Sequence, residues 1–94
     1  MRHIRIEYIR SRNQGAIYTD TYVLDCMTLP VTIMTDTVLA NGFYRSNKDE
    51  TTNYDPAKLI TPGAIISITP CTARGYSNHD LAQQIKQAEG RGSR

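Results

Sequence analysis

Apolar and polar side chains alternate at the start of the chain, and the alternation predicts a β-hairpin. Over residues 3–10, Ile4, Ile6 and Tyr8 share one parity while His3, Arg5 and Glu7 share the other. That two-residue period belongs to a half-buried strand. Residues 11–15 read as a turn, with Gly15 free to take a positive φ. A second strand follows over 16–26. Tyr18, Tyr22, Leu24 and Cys26 lie on one side of it, and Ile17, Thr19, Thr21 and Val23 on the other. With both faces partly apolar, this strand suits the middle of a sheet better than its edge.

Pro30 interrupts the chain, because it has no amide proton and restricts its neighbour. Residues 31–40 are rich in β-branched side chains and run into Asn41-Gly42 and then Phe43-Tyr44-Arg45. Asn-Gly between two such runs predicts a second hairpin. The rival reading is a short helix over 36–40 closed by Asn41 and Gly42, which Thr32, Thr35 and Thr37 argue against. Residues 46–58 form a polar, charged connection, long for so small a domain. Pro62-Gly63 predicts a turn, residues 64–69 a buried strand, and Pro70 its end.

The final element is helical. Ser77 or Asn78 can cap it, and Asp80 favours the positive end of its dipole. Leu81, Ala82, Ile85 and Ala88 then recur on one face through Glu89. Gly90 should stop it, leaving 90–94 as a basic, disordered tail. The expected fold is one α+β domain over 1–89. It has five mostly antiparallel strands, two hairpins plus one strand, covered by the single C-terminal helix. A small five-stranded barrel is the alternative, and it turns on whether the first and last strands pair.

Composition supports one strand-rich domain. The chain has 94 residues, 39% of them hydrophobic, with six tyrosines, one phenylalanine and no tryptophan. A body this small gains from self-association, so a homo-oligomer is within the expectation. No apolar run is long enough to cross a bilayer, and the opening MRHIRIEYIR lacks the apolar centre of a signal peptide. A cytoplasmic location follows as an expectation. Cys26 and Cys71 are expected to be reduced, small, buried residues.

Net charge is a modest +2, but its layout changes the picture. Residues 1–16 set Arg2, Arg5, Arg10 and Arg12 against Glu7 alone. The middle of the chain is acidic, and Arg74, Lys86, Arg91 and Arg94 make the end basic again. If folding joins the two ends, one basic surface results, and such a surface meets acidic partners.

Catalytic patterns are weak. His3 and His79 could serve a small ribonuclease if both met one phosphate, but each reads more simply as a solvent-facing histidine. Asp20 and Asp25 differ in strand parity, and Asp36 stands alone. Asn47, Asp49, Thr51, Asn53 and Asp55 alternate oxygen ligands without the glycine or closing glutamate of a calcium loop. The cysteines have no clustered partners for zinc, and no glycine-rich phosphate loop occurs. No cofactor, no metal and no enzymatic activity are expected.

What remains points to binding. The sequence is read as a small inhibitor or adaptor of a macromolecule with an acidic surface, protein rather than nucleic acid and not a membrane. Small motif-free chains of this kind are often accessory or counter-defence factors of mobile elements. Arg2, Arg5, Arg10 and Arg12 would meet the partner, with Tyr44 and Tyr54 anchoring the other side. The plain alternatives are solubilising arginines and a core Tyr44. RNA or single-stranded nucleic acid is the alternative ligand, since the tyrosines could stack bases.

Overall fold

The computed structural model describes residues 1–45 and 58–92, the last four as helix backbone only. Strand β1, His3–Asn13, and strand β2, Ala16–Asp25, form the expected hairpin. Asn13 faces Ala16 across a two-residue turn in which Gln14 and Gly15 both have positive φ, at 50° and 80°. Two such residues match the right-handed twist of the flanking strands. Between Ile9 and Ser11 the register slips, so Arg10 has no direct opposite.

Strand β5, Ile65–Cys71, pairs antiparallel with the other side of β1, giving the order β2-β1-β5. The first and last strands therefore do pair. Among the described residues no barrel closes, because β1 is the central strand and β2 and β5 are separate edges. The alternation along β1 does what it predicts: Ile4, Ile6 and Tyr8 are all fully buried on one face of the sheet.

Residues 31–40 are not a strand. They form helix α1, Val31–Asn41, so the rival reading was nearer the fact although it covered too few residues. Val31, Met34, Thr35 and Val38 fall at positions one, four, five and eight of a helical face and are its inward side chains. Each β-branched residue costs a helix only about half a kcal/mol against alanine. Burying Met34 and Val38 returns about 1.5–3 kcal/mol apiece, so packing overrides propensity. Thr37 settles its hydroxyl on the Ile33 carbonyl at 2.8 Å, a bond that a helix interior accommodates. The Gly42 amide donates to the Val38 carbonyl at 2.8 Å and closes the helix with φ at 80°.

Asn41-Gly42 thus ends a helix instead of turning a hairpin. The second two-stranded unit lies further on, where strand β3, Phe43–Arg45, pairs with strand β4, Lys58–Ile60. The expected total of five antiparallel strands is correct, with β4 in the place assigned to residues 31–40. Phe43 and Ile60 point inward and join Ile4, Ile6, Tyr8, Cys26, Met34 and Val38 in one core. Tyr8 meets Phe43 edge to face, and Tyr22 stacks on it, both with ring centroids 5.5 Å apart. A 3-10 turn at Pro62–Ala64 leads into β5.

Helix α2, Asn78–Gly92, is present as expected and runs through Gly90. It does not cover the sheet, because α1 takes that place. Leu81 is half-buried, whereas residues 82–88 are exposed, and Ile85 leaves 59% of its surface in solvent. The reason is quantitative: a stripe with two large apolar side chains is too narrow to hold a 15-residue helix.

What holds α2 is its first turn. The Ser77 amide donates to Asp80 Oδ2 at 2.9 Å, and the Asp80 amide donates to Ser77 Oγ at 3.2 Å. Ser77 is therefore the cap, and the exchange is reciprocal. Arg5 Nη1 donates to the Gly75 carbonyl at 2.8 Å and to Asp80 Oδ2 at 3.0 Å, tying the helix start to β1. The Ser77 amide first, and then Arg5, hold the Asp80 carboxyl below its ordinary range. A depressed folded-state value stabilises above the unfolded value of about 4 and stops doing so as pH falls through the folded one. Thermal unfolding of wild type and Asp80→Asn should therefore differ at pH 7 and converge on acidification below about pH 4. A difference that stays constant across that range would show that the carboxylate is not the anchor.

Candidate functional site

Three features project from the core: the outer half of the β1–β2 hairpin, helix α2 and the outer face of the β3–β4 pair. The root of the hairpin is buried through Tyr8, whereas residues 10–19 are exposed on both faces. A chain of this length packs to a radius of gyration of about 12 Å when compact, and this one measures 15.9 Å.

The four arginines of the first strand do not form one patch. Arg2 sits at the root, exposed, and Arg12 at the tip, on the order of 30 Å away by strand rise. Arg5 points to the face opposite the core and is engaged by Asp80 and Gly75. Arg10 and Arg12 both lie on the exposed arm, on either side of Ser11. Arg10 stands at the register slip, where its carbonyl accepts from Lys58 Nζ at 3.4 Å. Arg12 faces Ile17 across the hairpin.

The tyrosines divide in the same way. Tyr8 is buried and Tyr22 is packed against the core, so neither offers a free ring face. Tyr44 is 61% exposed, directly across from Leu59, which is 62% exposed. Tyr44 is therefore outward and available as an anchor, and Leu59 is a neighbour that the sequence analysis missed. Tyr54 lies outside the described residues, as do the oxygen-rich positions of the 46–58 connection below Lys58. Ile17 and Tyr18 on the arm, which the sequence reading did not single out, are also exposed, and their place beside the Gly15 turn marks them as tip residues.

His3 lies 3.9 Å from Asp25 on the rim of an open cavity of about 460 Å³. Tyr22, Val23, Leu24, Asp25, Met27 and Ala73 make up the rest of its wall. His79 is exposed in the first turn of α2 and does not line it. Among the described residues, no group of three or more histidine, cysteine or carboxylate side chains could hold a metal ion. Cys26 and Cys71 are free and fully buried. Burial pushes both thiols up, with the Asp25 charge adding to the effect at Cys26. Among the described residues no helix is long and apolar enough to cross a membrane.

The arrangement offers exposed basic and aromatic side chains on a projecting arm, beside an outward Tyr44–Leu59 pair. Comparison with protein-family models, with curated proteins and with solved structures finds no match for this chain.

Proposed function

We propose that this chain is a small binding protein that acts as an inhibitor or adaptor on an acidic macromolecular partner, a protein in preference to a nucleic acid. One observation supports the reading above the others: the hairpin extends well past its own core and carries Arg10, Arg12, Ile17 and Tyr18 exposed at its end. An arm with two cations and adjacent apolar area combines steering with contact surface. The exposed Tyr44 supplies a second anchor of the kind that interfaces favour. Arg2 and Arg5 drop out of the contact set, Arg2 by distance and Arg5 by its bond to Asp80.

Affinity capture from the native host, with and without nuclease, tests this. Wild type should retain one protein partner in both conditions, and Arg10→Glu/Arg12→Glu should lose it. Loss of every partner after nuclease treatment, together with a steep fall of polynucleotide affinity with salt, would establish the nucleic-acid alternative instead.

A further inference from the structure

Strand β2 has the composition of a central strand and the position of an edge. Its two faces carry Tyr18, Tyr22 and Leu24 on one side and Ile17, Thr19, Thr21 and Val23 on the other, yet among the described residues only β1 pairs with it. The direction of its free backbone groups can be read from one bond. The Cys26 amide donates to the Arg2 carbonyl at 2.9 Å, so residue 26 turns its backbone towards β1. Along an antiparallel strand this direction alternates, so Asp20, Tyr22 and Leu24 also face β1. Ile17, Thr19, Thr21, Val23 and Asp25 then present N–H and C=O groups to the open side.

The opposite edge is defended. Arg5, Glu7 and His3 turn towards β5 and meet Thr69, Ser67 and Cys71, which leaves Pro70 on the outer row. A proline there has no amide to offer a further strand. β2 carries no proline, no lysine and no bulge of its own. Asp20 Oδ1 guards its middle by accepting from the Thr21 amide at 2.8 Å.

We propose that β2 is a homodimer interface: a second copy adds its own β2 antiparallel across this edge, converting two three-stranded sheets into one of six strands. A two-fold axis sets one central residue opposite its own copy and pairs the others reciprocally about it, which limits the registers. Centring on Asp20 sets two carboxylates face to face, and centring on Tyr22 sets Asp20 against Leu24 of the partner subunit. Centring on Thr21 avoids both and uses almost the whole strand. Tyr18 then meets Leu24 of the partner subunit, and Thr19 meets Val23 of the partner subunit, pairs that a sheet favours.

Charge agrees with that register. Ile17 falls opposite Asp25 of the partner subunit, and Arg12 stands directly across β1–β2 from Ile17. Arg12 of each copy thereby stands one strand away from Asp25 of the partner subunit. About ten backbone hydrogen bonds form along the seam. The Thr21 amide exchanges its Asp20 bond for the carbonyl of Thr21 of the partner subunit. The inference stands apart from the acidic partner proposed above.

The test uses the full chain in sedimentation and native mass spectrometry over a concentration series. Wild type should dimerise. Thr21→Lys and Thr21→Glu each place like charges opposite one another at the axis and should weaken self-association by about tenfold or more. An equimolar mixture of the two should recover the dimer as a heterodimer. Thr21 is an exposed position, so circular dichroism should show both variants folded. A wild type that stays monomeric at about 0.5 mM, a Thr21→Lys protein that associates as tightly as wild type, or a mixture without recovery would each overturn the proposal. Thr21 is not part of the Arg10–Arg12 tip, so the partner capture above and this dimer fail or succeed separately.

Discussion

Gly42→Ala should destabilise the protein by about 3–5 kcal/mol, a large share of the roughly 5–14 kcal/mol that holds a domain of this size. Two independent effects add. Gly42 has φ 80° and ψ −168°, a region that side-chain-bearing residues enter at a cost of about 1–3 kcal/mol. A Cβ at this position would also fall on the Ile60 carbonyl oxygen, with the Ile60 carbonyl carbon and Thr61 Cα close behind. These are backbone atoms and cannot swing aside, so β4 would have to move off the end of α1. Gly15 is the control. It has the same φ of 80° but open space around it, so Gly15→Ala should cost only about 1–2 kcal/mol. Urea unfolding of the two variants separates crowding from strain. Equal losses at the two sites would mean that the close approach at Ile60 contributes nothing.

Tyr8 is the second position where one change should be severe. It is fully buried at the centre of the core, its ring edge meets Phe43, and its hydroxyl accepts from Arg45 Nη1 at 3.0 Å. Arg45 is itself only 4% exposed, so the hydroxyl is a partner of a buried charge. Tyr8→Ala should cost about 3–5 kcal/mol through the cavity it leaves. Tyr8→Phe keeps the ring and removes the hydroxyl, and should cost about 1.5–3 kcal/mol because the donor it accepts from is charged. Replacing Arg45 by methionine in the Tyr8→Phe background removes the charge as well and should recover part of that loss. Chemical denaturation of the three variants gives the comparison. If Tyr8→Phe is as stable as wild type, the hydroxyl is not needed by the guanidinium.

How far the sequence disclosed this fold depends on how local each determinant is. The β1–β2 hairpin was legible because its information is local: Ile4, Ile6 and Tyr8 alternate, and Gly15 marks the turn. Helix α1 was misread because Val31, Thr32, Thr35 and Val38 suggest a strand by type while their spacing suggests a helix. Type shifts the balance by tenths of a kcal/mol per residue, whereas a buried face shifts it by several. β4 was missed because three residues, Lys58-Leu59-Ile60, carry no period, and only their pairing with Phe43–Arg45 makes them a strand. The α2 helix was found from its cap and spacing, but not its lack of cover, which depends on how much area its stripe can bury.

The candidate site was legible in part for a related reason. Nearness along the chain groups Arg2, Arg5, Arg10 and Arg12, whereas a strand spreads them by its rise and by its alternation. Arg5 is removed from the group by Asp80, some seventy-five positions later, a distance no local reading bridges. Tyr44 was singled out as a candidate anchor and is exposed, yet its companion Leu59 depends on the β3–β4 register and could not be found.

The unmatched residue at Arg10 sits at the boundary where burial ends, between Ile9 and Ser11. An inserted residue of this kind bends and over-twists the strand locally while the ladder resumes on either side. The hairpin thus has a wrist, and the hand beyond it is aimed independently of the forearm. Gain or loss of one residue at that joint would re-point the tip without disturbing a single core contact. A lineage under pressure to follow a changing target could therefore adjust its reach here by small length changes, leaving foldability untouched.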